Sequence, residues 1–442
     1  MSSDWPQVRL GDHIDSCLGK MLDAKKNKGL PQPYLGNSNV RWGKFDQVDL
    51  AEMRFEPQEE ERYSLAPGDL VVCEGGEPGR CAIWNGSKGM KIQKALHRIR
   101  PKSTLNNYYL YYWFRNAAKI GLLEPYFTGT TIKHLTGKAV TALKIPLPPN
   151  EVQVRMVKVL RSLDGTIENN WNQNKALEAI AQALYRSWFV DFDPVHAKAA
   201  GNNPEAMSAE LAKLFPSEFD DSELGAIPRG WTVTSFGAAF DIKGGGTPST
   251  KESSYWDNGT HWWATPKDMS NLASKVIYQT AFKLTAAGVK KISSKTLPVG
   301  TTLMSSRAPV GYLAIAKAQI SINQGFIAIP PTEGLCPSFV VNLLLHKMPV
   351  IKANAGGTTF AEISKSQFRP IKWIRPSVEA LNAFSRIAEP LYAAVHANCL
   401  TIDALTCLRD HLLPRLISGK LRIEDAEASV AAITSALETE PA

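Results

Sequence analysis

Five side chains suited to a nucleic-acid edge stand within eight residues: Asn37, Ser38, Asn39, Arg41 and Lys44, with Trp42 among them. Amide, hydroxyl and guanidinium groups supply the paired contacts that read base edges, and cations hold phosphates. The same mixture recurs along the chain. "GGEPGR" brings Arg80 to a glycine-rich turn, and "KIQK" brings Lys91, Gln93 and Lys94. Farther on, "GGGTPSTKESSYW" supplies Thr247, Ser249, Thr250 and Lys251, while "WWATPKDM" adds Thr265 and Lys267. "SSRAP" contributes Arg307 and "INQG" contributes Asn323 and Gln324. Two "GTT" turns add Thr130, Thr131, Thr358 and Thr359, with Lys133 just after the first.

Catalytic chemistry needs constellations that are not assembled here. The sequence has no GxxxxGK[ST] phosphate loop and no strand–GxGxxG–helix unit for a dinucleotide or methyl donor. It also lacks the Asn/Asp-Pro-Pro-aromatic motif with which base methyltransferases grip a flipped base. Asp69, Glu74 and Glu77 come closest to a Mg²⁺-holding set, yet the matching positions of the second copy described below are Thr301, Ser306 and Pro309. Eight histidines are scattered without HxxxH or HExxH spacing, and six cysteines form no CxxC pair. The reading is no catalytic residue, no metal site and a reduced, cytoplasmic protein. No apolar run in the sequence is read as approaching bilayer length.

Charge is distributed in blocks. Residues 1–150 hold 21 Lys/Arg against 15 Asp/Glu, and residues 221–377 hold 17 against 8. Between and after them, residues 151–220 hold 7 against 10 and residues 378–442 hold 5 against 9. Two basic blocks set apart by acidic ones point to two contacts with a polyanion.

Those blocks are copies. "LAPGDLVVCEGGEPGRCAIW" at 65–84 matches "LPVGTTLMSSRAPVGYLAIA" at 297–316, pairing Gly68 with Gly300 and Gly79 with Gly311. "TGTTIKHL" at 128–135 matches "GGTTFAEI" at 356–363, and Lys144 corresponds to Lys372, 228 residues on. The scaffold residues agree while the loops differ, Lys133 and His134 standing against Ala361 and Glu362. Two modules built alike and reading different sequences would differ in that way.

Each copy reads as short β-rich runs between Gly/Pro turns, with helices predicted at 106–121 and 338–357. Each is followed by apolar residues at steps of three and four. The first series is Val152, Met156, Val159, Leu163, Ile167, Leu177, Ile180, Leu184 and Trp188; the second includes Phe384, Ile387, Leu391, Val395, Ile402, Leu405, Leu412 and Leu416. This predicts two coiled-coil-like helices of about 40 residues, roughly 60 Å long at ~1.5 Å per residue. Asn170 and Asn398 interrupt the series at corresponding steps and are expected to meet and set the register.

Several stretches resemble the specificity subunits of type I restriction–modification systems. "LGAIPRGWTVTSFG" at 224–237, followed by "GGGTPST", is similar to the entry of a target recognition domain in that family. "ALYRSWFVDFDPVHAK" at 183–198 resembles the end of the central conserved helix, and "LLPRLISGKLRI" at 412–423 the C-terminal conserved end. "PPNEVQVR" departs from the family's usual Glu-Gln at the helix start, and "PSVEALNA" keeps only Glu379 of that pair.

The resemblance implies an α+β fold with two tandem target recognition domains alternating with two long antiparallel helices, related by a pseudo-two-fold axis. The expected organisation is recognition domain 1 at 1–150, central spacer helix at 151–192, linker at 193–223, recognition domain 2 at 224–377, C-terminal spacer helix at 378–422 and flexible tail at 423–442. Each domain would read half of a split, asymmetric site in double-stranded DNA, with the helices setting the spacing. A ~60 Å rod spans more than one ~34 Å turn of duplex. The resemblance further implies docking of two modification (methyltransferase) subunits and association with restriction (translocase/nuclease) subunits. S-adenosylmethionine, ATP and Mg²⁺ would then sit in the partners and no cofactor in this chain. Two other classes stay open at this point: a stand-alone DNA methyltransferase or nuclease, and a coiled-coil adaptor whose basic units bind an acidic protein.

Overall fold

The computed structural model describes residues 5–23, 27–205, 207–357 and 361–439, with side chains as far as Ala432. The chain divides into two compact units, Met1–Ile167 with Asp403–Pro441, and Glu168–Ile402. Both 40-residue helices, Asn150–Phe189 and Val378–Ile417, contribute a part to each unit.

The apolar runs become the centre of each unit. In the first unit, Leu70–Cys73 and Cys81–Ile83 are buried at every position, as strands covered on both faces must be. They form a four-stranded antiparallel sheet in the order Ile14–Leu18, Leu96–Pro101, Leu70–Cys73, Cys81–Ile83. A second sheet pairs Leu30–Leu35 antiparallel with Glu52–Phe55 and parallel with Lys91–Ile92. Gln7–Arg9 pairs with Lys144–Pro146 and places Arg9 opposite Lys144.

The second unit repeats this plan. Phe326–Ile329, Thr302–Ser305 and Leu313–Ala316 lie side by side antiparallel, again buried throughout. Lys243 bridges Ala328 where the first unit has the full strand Ile14–Leu18, and Val276–Ile277 adds a parallel strand on the other edge. His261–Ala264 pairs antiparallel with Phe282–Leu284 and parallel with Ile320–Ile322, and Thr232–Ser235 pairs with Lys372–Arg375. Lys372 faces Ser235 as Lys144 faces Arg9, so the two lysines hold one place in one frame. Gly79 and Gly311 show why the copies share glycines. Their φ values are 92° and 108°, and a Cβ would lie 2.4 Å from Leu123 and 2.6 Å from Met348.

The longest helix beside the sheets is Asn107–Lys119 in the first unit and Pro337–Ala353 in the second, among the described residues. The first is capped by the Asn106 side chain, which accepts from the amides of Tyr108 and Tyr109. Its buried Tyr112 hydroxyl donates to Asp164 at 2.7 Å, and Arg409 donates to the other oxygen of that carboxylate at 2.7 Å. One carboxylate thus ties the domain helix to both long helices of the first unit. In the second unit, Tyr185 and Phe384 pack edge to face with ring centroids 6.1 Å apart, and Asn398 donates to Asn174 at 2.9 Å. Numbers rise along one helix as they fall along the other, so the pairing is antiparallel.

Four expectations change. Ile180 and Ile387 point outward, 53% and 38% exposed, while their neighbours Ala181 and Ala388 are buried, because a 3.6-residue helix drifts against an even apolar step. The expected linker 193–223 carries the helix Asp193–Ala199 and buries Val195 and Phe215 in the core of the second unit. The expected flexible tail forms the helix Ile423–Thr439, held in the first unit by Arg155 at 2.7 Å from Glu424 and 3.1 Å from Glu427. Finally, Val378–Ile417 contains an 18-residue window of mean hydropathy 1.3, long and apolar enough to cross a bilayer by length and composition. In the second unit that helix buries Leu381, Phe384, Tyr392 and Val395 in the protein core.

Candidate nucleic-acid interface

The polar loops converge at one end of the sheets in each unit, because the strands that carry them are neighbours. In the first unit, the amide of Glu74 donates to Ala95 (2.8 Å), that of Leu135 to Glu74 (2.7 Å) and that of Gly79 to Cys73 (2.9 Å). In the second, Ser306 donates to Gly325 (2.8 Å), Ile363 to Ser306 (2.9 Å) and Gly311 to Ser305 (3.0 Å). These are the same three bonds at corresponding positions. Lys20 and Gly246 add a fourth, donating at 3.0 Å to Ile92 and Ile322.

Within these frames the candidate side chains sort by what holds them. Ser38, Arg41, Lys44, Thr130, Thr131 and Lys133 are exposed in the first unit. Thr247, Ser249, Thr250, Lys251, Lys267 and Gln324 are exposed in the second. Thr247 donates to Gln324 Oε1 at 2.6 Å, so these two present a joined hydroxyl–amide edge. Asn37, Gln93, Lys94, Arg80, Arg307 and Asn323 are half-buried. Arg80 donates to the Asn37 carbonyl at 3.0 Å and to Glu77 at 3.1 Å, and Trp42 Nε1 donates to the same carboxylate at 2.7 Å.

Other candidates brace the loops. Lys91 is 1% exposed, with its ammonium bonded to Glu60 and Ser64, so it does not face a phosphate. The parallel pairing of Lys91–Ile92 with Leu30–Leu35 turns it inward, and its hydrogen bond holds the Glu60 carboxyl below the usual range. Thr265 caps the helix Pro266–Ser270 and donates to Asp268 at 2.6 Å. Asn39 closes its own turn, accepting from Gly36 at 2.9 Å and donating to the Asp46 carbonyl at 3.0 Å. Asn323 Oδ1 accepts from the Gly325 amide at 2.8 Å. Thr358 and Thr359 lie outside the described residues. On the helices, Asn398 meets Asn174, one turn past Asn170, and Asn174 also donates to Ser274 at 3.3 Å.

Three features of the site lie beyond the sequence candidates. Glu77 and Glu362 put carboxylates among the cations, the second 3.8 Å from Arg307. The segment after Gly19 is the counterpart of the "GGTPST" loop, through the shared bond of Lys20 and Gly246, and it contributes Lys28. His97 lies beneath the last loop with Nε2 2.9 Å from the Leu135 carbonyl, and burial lowers its pKa. A neutral imidazole there donates from Nε2. For metal chemistry, Asp69 is paired with Arg100 at 2.7 Å, and no group of three His, Cys, Asp or Glu suited to a metal occurs among the described residues.

Comparison with known proteins adds identity of a different kind. Residues 2–179 and 228–394 match the family model described as the type I restriction modification DNA specificity domain. The chain is similar to the type I restriction enzyme HindI specificity subunit of Haemophilus influenzae, 30% identical over 465 residues that cover 95% of this chain and 100% of that one. The MjaIX specificity subunit of Methanocaldococcus jannaschii is 37% identical over 167 residues, 37% of this chain and 38% of that one. In fold, the chain is like the solved S subunit of a type I restriction–modification system from M. genitalium. The TM-score is 0.54 at 16% identity, over 94% of this chain and 96% of that one.

Proposed function

Because the chain belongs to the type I restriction–modification DNA specificity family, we propose that it is the non-catalytic reader of such a complex, each unit reading one half of a bipartite, asymmetric DNA site. The observation that carries this reading is the pair of loop frames. Four backbone bonds are repeated at corresponding positions while the side chains mounted on them differ. Cations such as Lys44, Lys133, Lys251 and Lys267 hold phosphates; amide and guanidinium groups such as Gln324 and Arg307 reach base edges.

The two long helices set the separation of the half-sites and receive two methyltransferase subunits. Ile180, Ile387 and Leu400 are exposed apolar residues on the helix segments of the second unit and support docking of a partner there. S-adenosylmethionine binds in those partners, and ATP and Mg²⁺ bind in the translocase/nuclease subunits.

Selection of duplexes from a random pool by the chain assembled with its methyltransferase subunits tests the proposal. Two short blocks at fixed spacing are expected. A single continuous block, or no enrichment, refutes split reading, and methyl transfer by the chain alone refutes the non-catalytic role.

A further inference from the structure

The turn 306–312 of the second unit begins with Ser306 and Arg307, and Arg307 bridges Glu362 of the last loop through the backbone. Their side chains lie 3.8 Å apart, 37% and 49% exposed. That is a loose pair, longer than a charge-assisted hydrogen bond of about 2.7–2.9 Å. The corresponding positions in the first unit are Gly75 and His134, and a Cβ on Gly75 would lie 3.2 Å from His134 Nδ1. There the arginine stands at the other end of the turn, as Arg80, and its carboxylate partner is Glu77 at 3.1 Å. Each unit therefore brings one arginine and one half-exposed carboxylate to the same turn by different residues. A carboxylate among loops that approach a polyanion opposes every duplex, and an exposed pair contributes little to folding. Specificity is a difference of affinities, to which an obstacle against the wrong partner contributes as much as a contact with the right one.

We propose that Glu362 and Glu77 set discrimination: each holds the arginine of its turn until a matching base edge, with two acceptors for the guanidinium, replaces the carboxylate. This rests on the DNA-reading function above. On a mismatched duplex the arginine stays with its carboxylate, and the negative charge repels the backbone.

The test uses the assembled complex carrying Glu362→Gln, with binding measured to a fully matched duplex and to duplexes altered in one half-site or the other. Affinity for the duplex altered in one half rises about fivefold, the size of one exposed ion pair released. Matched binding rises as well, by a smaller factor, and the salt dependence on that altered duplex steepens by about one phosphate contact. Glu77→Gln does the same for the opposite half, and Glu362→Asp retains wild-type discrimination. A fall in matched binding, which would make Glu362 itself a base contact, overturns the proposal, as does unchanged binding to every duplex. The wild-type complex measured alongside separates the two levels. If it does not distinguish the duplexes at all, DNA reading itself fails.

Discussion

Asp164→Asn attacks the point where the domain helix and both long helices of the first unit are joined. The carboxylate accepts from the Tyr112 hydroxyl and from Arg409, each at 2.7 Å, and Arg409 is 5% exposed. Breaking a buried pair costs about 3–5 kcal/mol. Here Asp410 remains 2.8 Å from Arg409 and the Asp164 side chain is 28% exposed, which lowers that loss to roughly 2 kcal/mol. Exchanging a charged acceptor for a neutral one under Tyr112 adds about 1 kcal/mol. The sum of about 3 kcal/mol lowers the unfolding temperature of a unit of this size by about 6–12 °C. Arg409→Met with Asp164→Asn should then be less destabilising than the two single changes added, by about 2 kcal/mol. Calorimetry on the four proteins decides. A shift under about 2 °C for Asp164→Asn, or strict additivity, refutes the reasoning.

Glu178 is 9% exposed and accepts from the Lys275 amide, and burial raises its pKa. A raised folded-state value means that its ionisation opposes folding as pH rises, so Glu178→Gln should unfold at higher temperature at pH 7.5, the gain fading near pH 4; a lower unfolding temperature at pH 7.5 contradicts this. His97 has the opposite linkage. Its folded pKa is lowered by burial, so the stability held above the unfolded value of about 6.5 is lost as pH falls. Replacing His97 by Gln should flatten the loss of thermal stability between pH 7.5 and 5, and equal slopes would exclude the linkage. Lys133→Ala should weaken binding to all duplexes and reduce the salt slope by about 0.9, whereas Lys91→Ala should lower the melting temperature and leave that slope unchanged. The converse pair of results would invalidate the sorting of these lysines by exposure.

The repeated frame was legible in the sequence because it rests on residues with few alternatives. Gly79 and Gly311 need positive φ and lie against side chains that leave no room for a Cβ, and the strands behind them are buried at every position. The direction of a loop side chain was not legible. Lys91 and Lys133 are both lysines in basic loops, yet a two-residue parallel pairing buries one and leaves the other in water. Thr265 and Asn39 likewise look like donors to DNA until the turns they close are seen. The helix register illustrates a third limit. Corresponding residues of an antiparallel pair face each other only at its crossing point, and Asn174 opposite Asn398 puts that point at residues 172 and 400. Asn170 is two residues short of it, so equivalence in the repeat does not become contact. Carboxylates such as Glu362 were hidden because they belong to the site only through a partner in another loop.

The division of the chain has a consequence for its synthesis. The second unit, 168–402, is one unbroken stretch, whereas the first is closed by residues 403 onward, which supply Arg409 and the helix that holds Arg155. At roughly 5–20 residues per second, the ribosome needs about 12–47 s to pass from the end of the first stretch to the start of the piece that completes it. During that interval Met156, Val159 and Leu163 wait without the C-terminal residues of their unit, while everything made after them can already fold. The part translated first is therefore the part finished last, and a nascent chain whose residues up to 402 have all left the ribosome would carry a completed second unit beside an open first one.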